Sequence, residues 1–315
     1  MRLGYAVKTL GGGGLPSHDT RRWQSGPHLR VSLGHLGAIF DHLEATGIAM
    51  YRMTASLAPY ATHPELPAFH DQVGDCREEL AALGARAARQ GLRLSTHPGQ
   101  YIVLNSEDPD VRASAARDLE LQGEILDAMG LGPEAAVVLH VGGAAGSRAA
   151  GLERFEAGFA TLSDRARRRL VVENDDRTYA LGDVLGLSAR IGRPVVWDIL
   201  HHHCNDPEGI PDREALELAL ATWPEGVRPK IHFSSPKTQA QERKRRVGRR
   251  IERTLAFPQL REHADLIDPI AFEEFCRGPA RGLDFDVMLE AKAKDLALLR
   301  LREQLAARRA AARAF

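Results

Sequence analysis

Residues 135–141 read AAVVLHV, residues 169–174 read RLVVEN, and residues 194–199 read PVVWDI. Each segment is short and mainly apolar, is bounded by Gly, Pro or charged residues, and carries a His, Glu or Asp near its end. An apolar run of this length is typical of a strand that is buried on both faces, as in a parallel sheet. The three segments therefore predict parallel strands with polar side chains at their carboxyl ends.

Five more segments are also short, mainly apolar and bounded by Gly, Pro or charged residues, and stretches with helical spacing separate them: 2–7, 48–53, 92–97, 229–233 and 284–290. The helical stretch 109–130, for example, has apolar residues three and four apart, follows the capping residue Asp108 and stops at Gly130. Eight repeated βα units without an obvious switch point favour a closed barrel over an open doubly wound sheet. We predict an α/β fold, a single (β/α)8 TIM barrel with its active site at the C-terminal face.

The predicted barrel covers residues 1–295 and includes a basic loop at 237–253, and residues 296–315 form a basic C-terminal helix or tail. The composition is that of an ordinary globular protein, with 43% hydrophobic and 27% charged residues. No apolar run approaches the ~20 residues of a membrane span, and the N-terminal segment has no signal-like core. Three scattered Cys residues argue against disulfides and against a thiolate zinc site. We expect a cytoplasmic protein with no membrane partner.

Six consecutive predicted strands end in metal-ligand side chains: His97, His140, Glu173, Asp198, His232 and Glu290. The carboxyl ends of barrel strands converge on one face, where catalytic groups sit. When three imidazoles and three carboxylates meet at one point, groups of the same type repel one another unless cations lie between them. The pattern therefore predicts a site for several divalent ions. A mixed His and carboxylate set suits Mn²⁺, Zn²⁺ or Fe²⁺ better than Mg²⁺.

Four further residues belong to this hypothesis. His201 follows Asp198 by three residues, in a predicted strand-to-helix loop, and can bind a second or third ion. His63 lies in the loop after the second strand, and His263 is the remaining His candidate after the seventh. Lys230 faces the same way as His232 on one strand. A Lys beside metal ions is neutral, carbamylated, or paired with a ligand carboxylate, and these alternatives stay open.

Such a metal site has two plausible chemistries. Ions about 3.5–4 Å apart lower the pKa of a bound water and hold the attacking and leaving oxygens of a phosphodiester. The same ions can instead polarise a sugar carbonyl, as in a xylose-isomerase-like isomerase or epimerase. Only the first chemistry needs basic clusters for a polyanion, and the chain has one, with eight Lys or Arg residues at 237–253. A charge run of this kind is otherwise a solvated surface.

At eight places in the right order the chain resembles the ultraviolet damage endonucleases: LGYA at 3–6, THP at 62–64, THPGQY at 96–101, LHVGG at 139–143, VENDD at 172–176, WDILHH at 197–202, KIHFSS at 230–235 and LEAKAKD at 289–295. The resemblance implies a TIM barrel related to abasic-site endonucleases with three-metal centres. It also implies an enzyme that nicks double-stranded DNA immediately 5′ to pyrimidine dimers and 6-4 photoproducts. The products would carry a 3′-hydroxyl and a 5′-phosphate, and the usual metal is Mn²⁺, with Zn²⁺ or Mg²⁺ as alternatives.

By the same resemblance, eight residues are metal ligands for two or three ions: His97, His140, Glu173, Asp198, His201, His232, His263 and Glu290. It gives catalytic roles to Glu173, Glu290, Lys230 and His63. It also places His63, Lys230 and Tyr5 at the lesion pocket or directly behind the metal ligands. Gln100 and Tyr101 match the pair that the family inserts into the duplex where the damaged dinucleotide leaves. Arg243, Lys244, Arg245 and Arg246 are the predicted DNA-binding residues of the basic loop.

Two features depart from the family pattern. The polar Asn that usually follows the LGY motif is absent, so Lys8 or Thr9 must take its place or the contact is lost. The interval between His232 and His263 is long, which makes His263 the least secure ligand. We expect a monomer that associates with the nucleoid when it acts on damaged DNA.

Overall fold

Eight parallel strands form a barrel in the computed structural model, which describes residues 1–248 and 250–313. The barrel strands are β1 Leu3–Ala6, β2 Met50–Met53, β3 Arg93–Thr96, β4 Val137–His140, β5 Leu170–Glu173, β6 Val195–Val196, β7 Lys230–Phe233 and β10 Asp286–Leu289. A separate two-stranded hairpin consists of β8 Gln241–Val247 and β9 Arg250–Ala256. The barrel order is β6-β5-β4-β3-β2-β1-β10-β7. A parallel bridge between Asp198 and His232 joins the two ends. The predicted TIM barrel is confirmed.

Helices follow the barrel strands and pack around them: α1 Leu29–Ala45, α2 Gln72–Asp75, α3 Arg77–Arg89, α4 Pro109–Ala128, α5 Arg148–Ala160, α6 Asp164–Arg169, α7 Leu181–Ile191, α8 Ile199–Cys204, α9 Asp212–Ala221, α10 Pro269–Arg277 and α11 Lys294–Arg313. The Asp108 side chain caps α4 by accepting a hydrogen bond from the Asp110 amide, as its position before Pro109 predicts. Leu298 and Leu301 of α11 are buried in the core. None of these helices is long and apolar enough to cross a membrane.

The two ends of the barrel have different chemistry. At the amino ends of the strands, Arg93 Nη1 lies 3.0 Å from Asp286 Oδ2, and both side chains are fully buried. Asp286 also accepts hydrogen bonds from the Arg2 amide and from Arg228 Nε. This network pairs the buried Asp286 carboxylate with arginines at that end, where barrels carry groups that serve stability. The carboxyl ends are therefore left to form the functional site.

Two predicted elements differ from the structure. The strand predicted at 194–199 is only Val195–Val196, because Asp198 already caps α8 by accepting from the His201 amide. The basic loop predicted at 237–253 is the antiparallel hairpin β8–β9, which turns at Gly248 with a φ of 61°. Glycine adopts that conformation without strain, so it permits the tight turn. Arg249 of the basic run and residues 314–315 of the predicted tail lie outside the described residues.

Candidate metal centre

Glu173, at the end of β5, lies at the centre of the polar side chains. Its Oε2 is 2.9 Å from His97 Nε2 and 3.5 Å from His140 Nε2. Its Oε1 is 2.7 Å from His232 Nδ1 and 3.7 Å from His201 Nδ1. One buried carboxylate therefore contacts imidazoles that come from β4, β7, α8 and the residue after β3, which is the position of a bridging ligand.

The other two carboxylates extend the cluster on either side. Asp198 Oδ1 is 3.9 Å from His201 Nδ1, and Glu290 Oε1 is 3.4 Å from His232 Nδ1. His263 Nδ1 lies 3.7 Å from Glu290 Oε2, at the outer edge of the cluster. His201 lies on the short helix α8 and not in a loop, so its direction is set by the turn that Asp198 caps.

Three groups of side chains can each hold an ion, since their ligand atoms lie within 4.8 Å of one another: His97, His140 and Glu173; Glu173, Asp198 and His201; and Asp198, His232 and Glu290. Neighbouring groups share Glu173 or Asp198. Asp198 Oδ2, His232 Nε2 and His140 Nδ1 are buried and have no hydrogen-bond partner. Buried polar atoms without a partner are costly, and divalent ions would satisfy such a set of oxygen and nitrogen donors. The residues fit a polynuclear divalent-metal centre.

The charges of this cluster are strongly coupled. Burial lowers the pKa of His97 to about 4, although Glu173 opposes the shift. Burial also acts to lower the pKa of His201, but the carboxylates of Asp198, Glu173 and Glu290 outweigh it and raise that pKa to about 9. The pKa of Glu173 lies well below its ordinary value, because His232 and His140 overcome the effect of burial. At neutral pH His97 is thus ready to bind an ion, whereas His201 must first lose a proton.

Arg52 is a member of the site that the sequence did not indicate. It projects from β2, is 13% exposed, and forms an ion pair with Glu290 Oε1. Its Nε atom is buried and has no partner. Arg residues are numerous in this chain, and the six-strand pattern of His, Asp and Glu omits β2, so nothing in the sequence marked this one. The guanidinium places a fixed positive charge directly beside a candidate metal ligand.

Lys230 lies inside the barrel and is fully buried. In the part of the chain that the structure describes, its Nζ has no hydrogen-bond partner and forms no ion pair to a carboxylate at 4.0 Å or less. Burial lowers its pKa well below the ordinary value, and Arg93 and Arg52 add to the effect. Burial and the neighbouring positive charges therefore favour the uncharged form of this amine.

His63 and Tyr5 differ in their exposure to solvent. His63 is exposed, and its Nδ1 accepts a hydrogen bond from the Glu65 amide. Tyr5 is completely buried, 2.7 Å from the Thr9 hydroxyl, so it does not line an open surface.

Gln100 and Tyr101 lie at the mouth of a cavity of about 580 Å³ that also reaches the ligands His140 and His201. Gln100 lines this cavity, whereas Tyr101 is 81% exposed beside it. A large aromatic side chain that is almost fully exposed contributes little to the core, and such residues are typical of binding surfaces. Both side chains are therefore accessible from the surface beside the candidate ligands.

The comparisons with known proteins agree with this geometry. The family model described as UV-endonuclease UvdE matches residues 31–314. A protein named UV DNA damage endonuclease, from Bacillus velezensis, is 34% identical over 83% of this chain and 76% of its own length. The crystal structure of SacUVDE has a TM-score of 0.80 and 28% identity, covering 97% of this chain and 98% of that one. The 3-keto-D-glucoside 4-epimerase from E. coli shares the fold alone, with a TM-score of 0.57 and 12% identity over 98% of this chain and 99% of that one. The chain therefore belongs to the UV-endonuclease UvdE family.

Proposed function

We propose that the protein is a metal-dependent DNA repair endonuclease that cuts immediately 5′ to UV photoproducts, both pyrimidine dimers and 6-4 photoproducts. The cut would leave a 3′-hydroxyl and a 5′-phosphate. The observation that carries the proposal is the convergence of six strand ends on three adjoining ligand groups that share Glu173 and Asp198. A relative in the same family is named UV DNA damage endonuclease. All the ligands come from one chain, so a monomer bound to nucleoid DNA suffices.

Two or three divalent ions, most suitably Mn²⁺, with Zn²⁺ or Mg²⁺ as alternatives, would be held by His97, His140, Glu173, Asp198, His201, His232, Glu290 and, at the edge, His263. Bound there, such ions supply a hydroxide at neutral pH and neutralise charge that develops on a phosphodiester. The chain's own residues set their positions. Arg52 fixes Glu290 from one side, and His232 contacts both Glu290 and Glu173.

A sugar isomerase or epimerase is the alternative, and the shared barrel does not separate the two. The surface favours the endonuclease, because a small-sugar enzyme requires neither the exposed Tyr101 nor the basic hairpin. The discriminating experiment offers the protein with Mn²⁺ a duplex that carries one pyrimidine dimer, the same duplex without damage, and a ketose. We expect a nick in the damaged duplex alone. Conversion of the ketose without any nick would establish the alternative.

The hairpin β8–β9 is proposed to bind phosphates outside the lesion. The base of the hairpin lies next to the site, because Pro236 forms an antiparallel bridge with His263. Arg243 and Arg245 lie on one face and Lys244 and Arg246 on the other, and all four are exposed. A two-stranded ribbon of this kind fits the major groove of DNA.

Replacing Arg243, Lys244, Arg245 and Arg246 by Ala should weaken binding to damaged and undamaged duplex alike. Each lost phosphate contact reduces the slope of log K against log salt by about 0.9, so a decrease of roughly two to four is expected. Titrations over a range of salt concentrations measure it. Two double variants, one for each face, identify the face that contacts DNA. The double substitution of the exposed Arg77 and Arg89 on α3 is the matched control. An unchanged slope in the quadruple variant would make the hairpin a solvated surface.

Lys230 is proposed to act as a neutral amine or as a carbamate beside the ligands. With ¹³C-labelled bicarbonate, a carbamate gives a carbon resonance that Lys230→Met removes and that Lys237→Met leaves in place. Whichever form is present, Lys230→Met should lower incision roughly 10- to 100-fold, as for residues that support metal ligands. A crystal structure with a plain ammonium in contact with a carboxylate, together with normal incision by Lys230→Met, would show an ordinary paired lysine.

A further inference from the structure

The lysines of this chain have an unusual distribution. Only six of its 42 basic residues are Lys, so arginine takes nearly every basic position. Five of the six follow the carboxyl ends of β1, β7 and β10, and the sixth is Lys230 within β7. Among the described residues the ion pairs are made by Arg and His, and none involves a lysine. Within residues 1–248 and 250–313, the lysines on the catalytic face thus have no ion-pair partner.

Two of them, Lys292 and Lys294, line a cavity of about 260 Å³ with Arg52. We call this cavity, bounded also by Glu262, His263, Glu290 and Ala291, the rim pocket. Glu290 already pairs with Arg52 and contacts His232, so its negative charge is balanced. Glu262 is the remaining acidic group and faces two unpaired ammonium groups. The rim pocket is therefore positively charged and adjoins the metal centre.

The wall of the rim pocket is held in a fixed shape. The amide of Lys292 donates to the Ala264 carbonyl at 3.0 Å, and the amide of Ala293 donates to the Asp265 carbonyl at 2.9 Å. Lys294 has a φ of 52°, a left-handed conformation that is unfavourable for a residue with a long side chain. Strained positions of this kind persist where the surrounding structure imposes them, and they cluster at ligand sites. The pocket is organised before any ligand binds.

Size and charge together define the ligand. Pockets for drug-sized molecules occupy about 300–1,000 Å³, and the rim pocket is slightly smaller than that range. Lys binds phosphate as a point charge, and the planar guanidinium of Arg52 lines the same pocket. A single phosphodiester group matches these dimensions and donors.

We propose that the rim pocket binds one backbone phosphate of the incised strand, next to the phosphate at the metal centre. The inference rests on the proposed endonuclease function. A second anchored phosphate would fix the register of the strand relative to the ligands, and this determines which bond is cut. Lys292 and Lys294 are then positioning residues, since they contact the substrate away from the reacting atoms.

The test pairs a protein variant with a modified substrate. A series of duplexes with one photoproduct is prepared, and in each of them one phosphate around the cut is replaced by a neutral methylphosphonate. Binding to each duplex is measured in EDTA, and incision is measured in Mn²⁺. With the unaltered protein, a methylphosphonate at one particular position next to the cut should clearly lower the affinity for the duplex. Lys292→Gln plus Lys294→Gln should bind the natural duplex about tenfold more weakly, with a smaller salt slope. At that one position, the methylphosphonate should cause no further loss of affinity in the double variant.

The control is Lys237→Gln, which removes a charge from the same face outside the rim pocket and should retain the full methylphosphonate effect. If the double variant loses the same factor at every position, or if its position-specific loss persists, the rim pocket does not bind a phosphate. Failure of the unaltered protein to cut any photoproduct duplex would instead refute the proposed function, and the binding measurements in EDTA separate the two results.

Discussion

Replacement of Glu173 by Gln should lower incision of a photoproduct duplex by at least about 100-fold and should reduce the metal content of the protein. Glu173 places Oε2 beside His97 and His140, and Oε1 beside His232 and His201, so two candidate ion groups depend on this carboxylate. A neutral amide binds divalent ions much more weakly than a carboxylate. Because Gln has nearly the same shape, the barrel should fold normally.

Metal analysis, incision rates in Mn²⁺ and thermal unfolding together measure this result. Glu290→Gln should also lose activity, since Glu290 completes the third ion group with Asp198 and His232. Glu225→Gln, which changes an exposed carboxylate, is the matched control and should behave like the unaltered protein. If Glu173→Gln kept a near-normal rate and metal content, the assignment of the metal centre would be wrong.

The second large effect is expected at Gln100 and Tyr101. Photoproducts stack and pair poorly, so their extrusion costs less free energy than that of a normal pair, but the gap left behind must still be filled. Tyr101 is exposed and can stack on a neighbouring base, which contributes roughly 1–3 kcal/mol per base. Gln100 lines the adjoining cavity and can hydrogen-bond the unpaired strand. Both functions are needed only when the duplex is closed.

The variant Gln100→Ala plus Tyr101→Ala should therefore keep its metals and its stability and lose most incision, on the order of 10²-fold, on intact duplex. Activity should partly return when the lesion lies opposite a gap or in a pre-opened duplex. Leu218→Ala, on α9, removes another exposed apolar side chain and should change neither substrate's rate. An equal loss on both substrates would show that Gln100 and Tyr101 position the phosphate or the metals and do not act as a wedge.

The fold could be predicted because buried strands leave a strong local signal. Segments such as AAVVLHV and RLVVEN are apolar on both faces, and eight of them in regular alternation with helices define a barrel. The same regularity placed the strand-end side chains on one face. The distances within the cluster, however, come from the register and closure of the barrel, including the bridge between Asp198 and His232, which no local pattern carries.

Other parts of the site depend on long-range contacts that a local reading does not show. Arg52 meets Glu290 only because β2 and β10 both border β1 in the closed sheet. The strand Arg250–Ala256 contains the β-branched residues Ile251 and Thr254, but no apolar–polar alternation marks it among the charges, and the hairpin was predicted as a loop.

One measurement tests the central claim most directly: the position and the end groups of the cut, determined with and without metal. The protein is stripped of metal, Mn²⁺ is added back in steps, and an end-labelled duplex with a single pyrimidine dimer is the substrate. We predict no cut in EDTA, and a single nick in Mn²⁺ immediately 5′ to the dimer, with a 3′-hydroxyl that a polymerase can extend. Cutting without metal, at other positions, or equally fast in undamaged duplex would contradict the account.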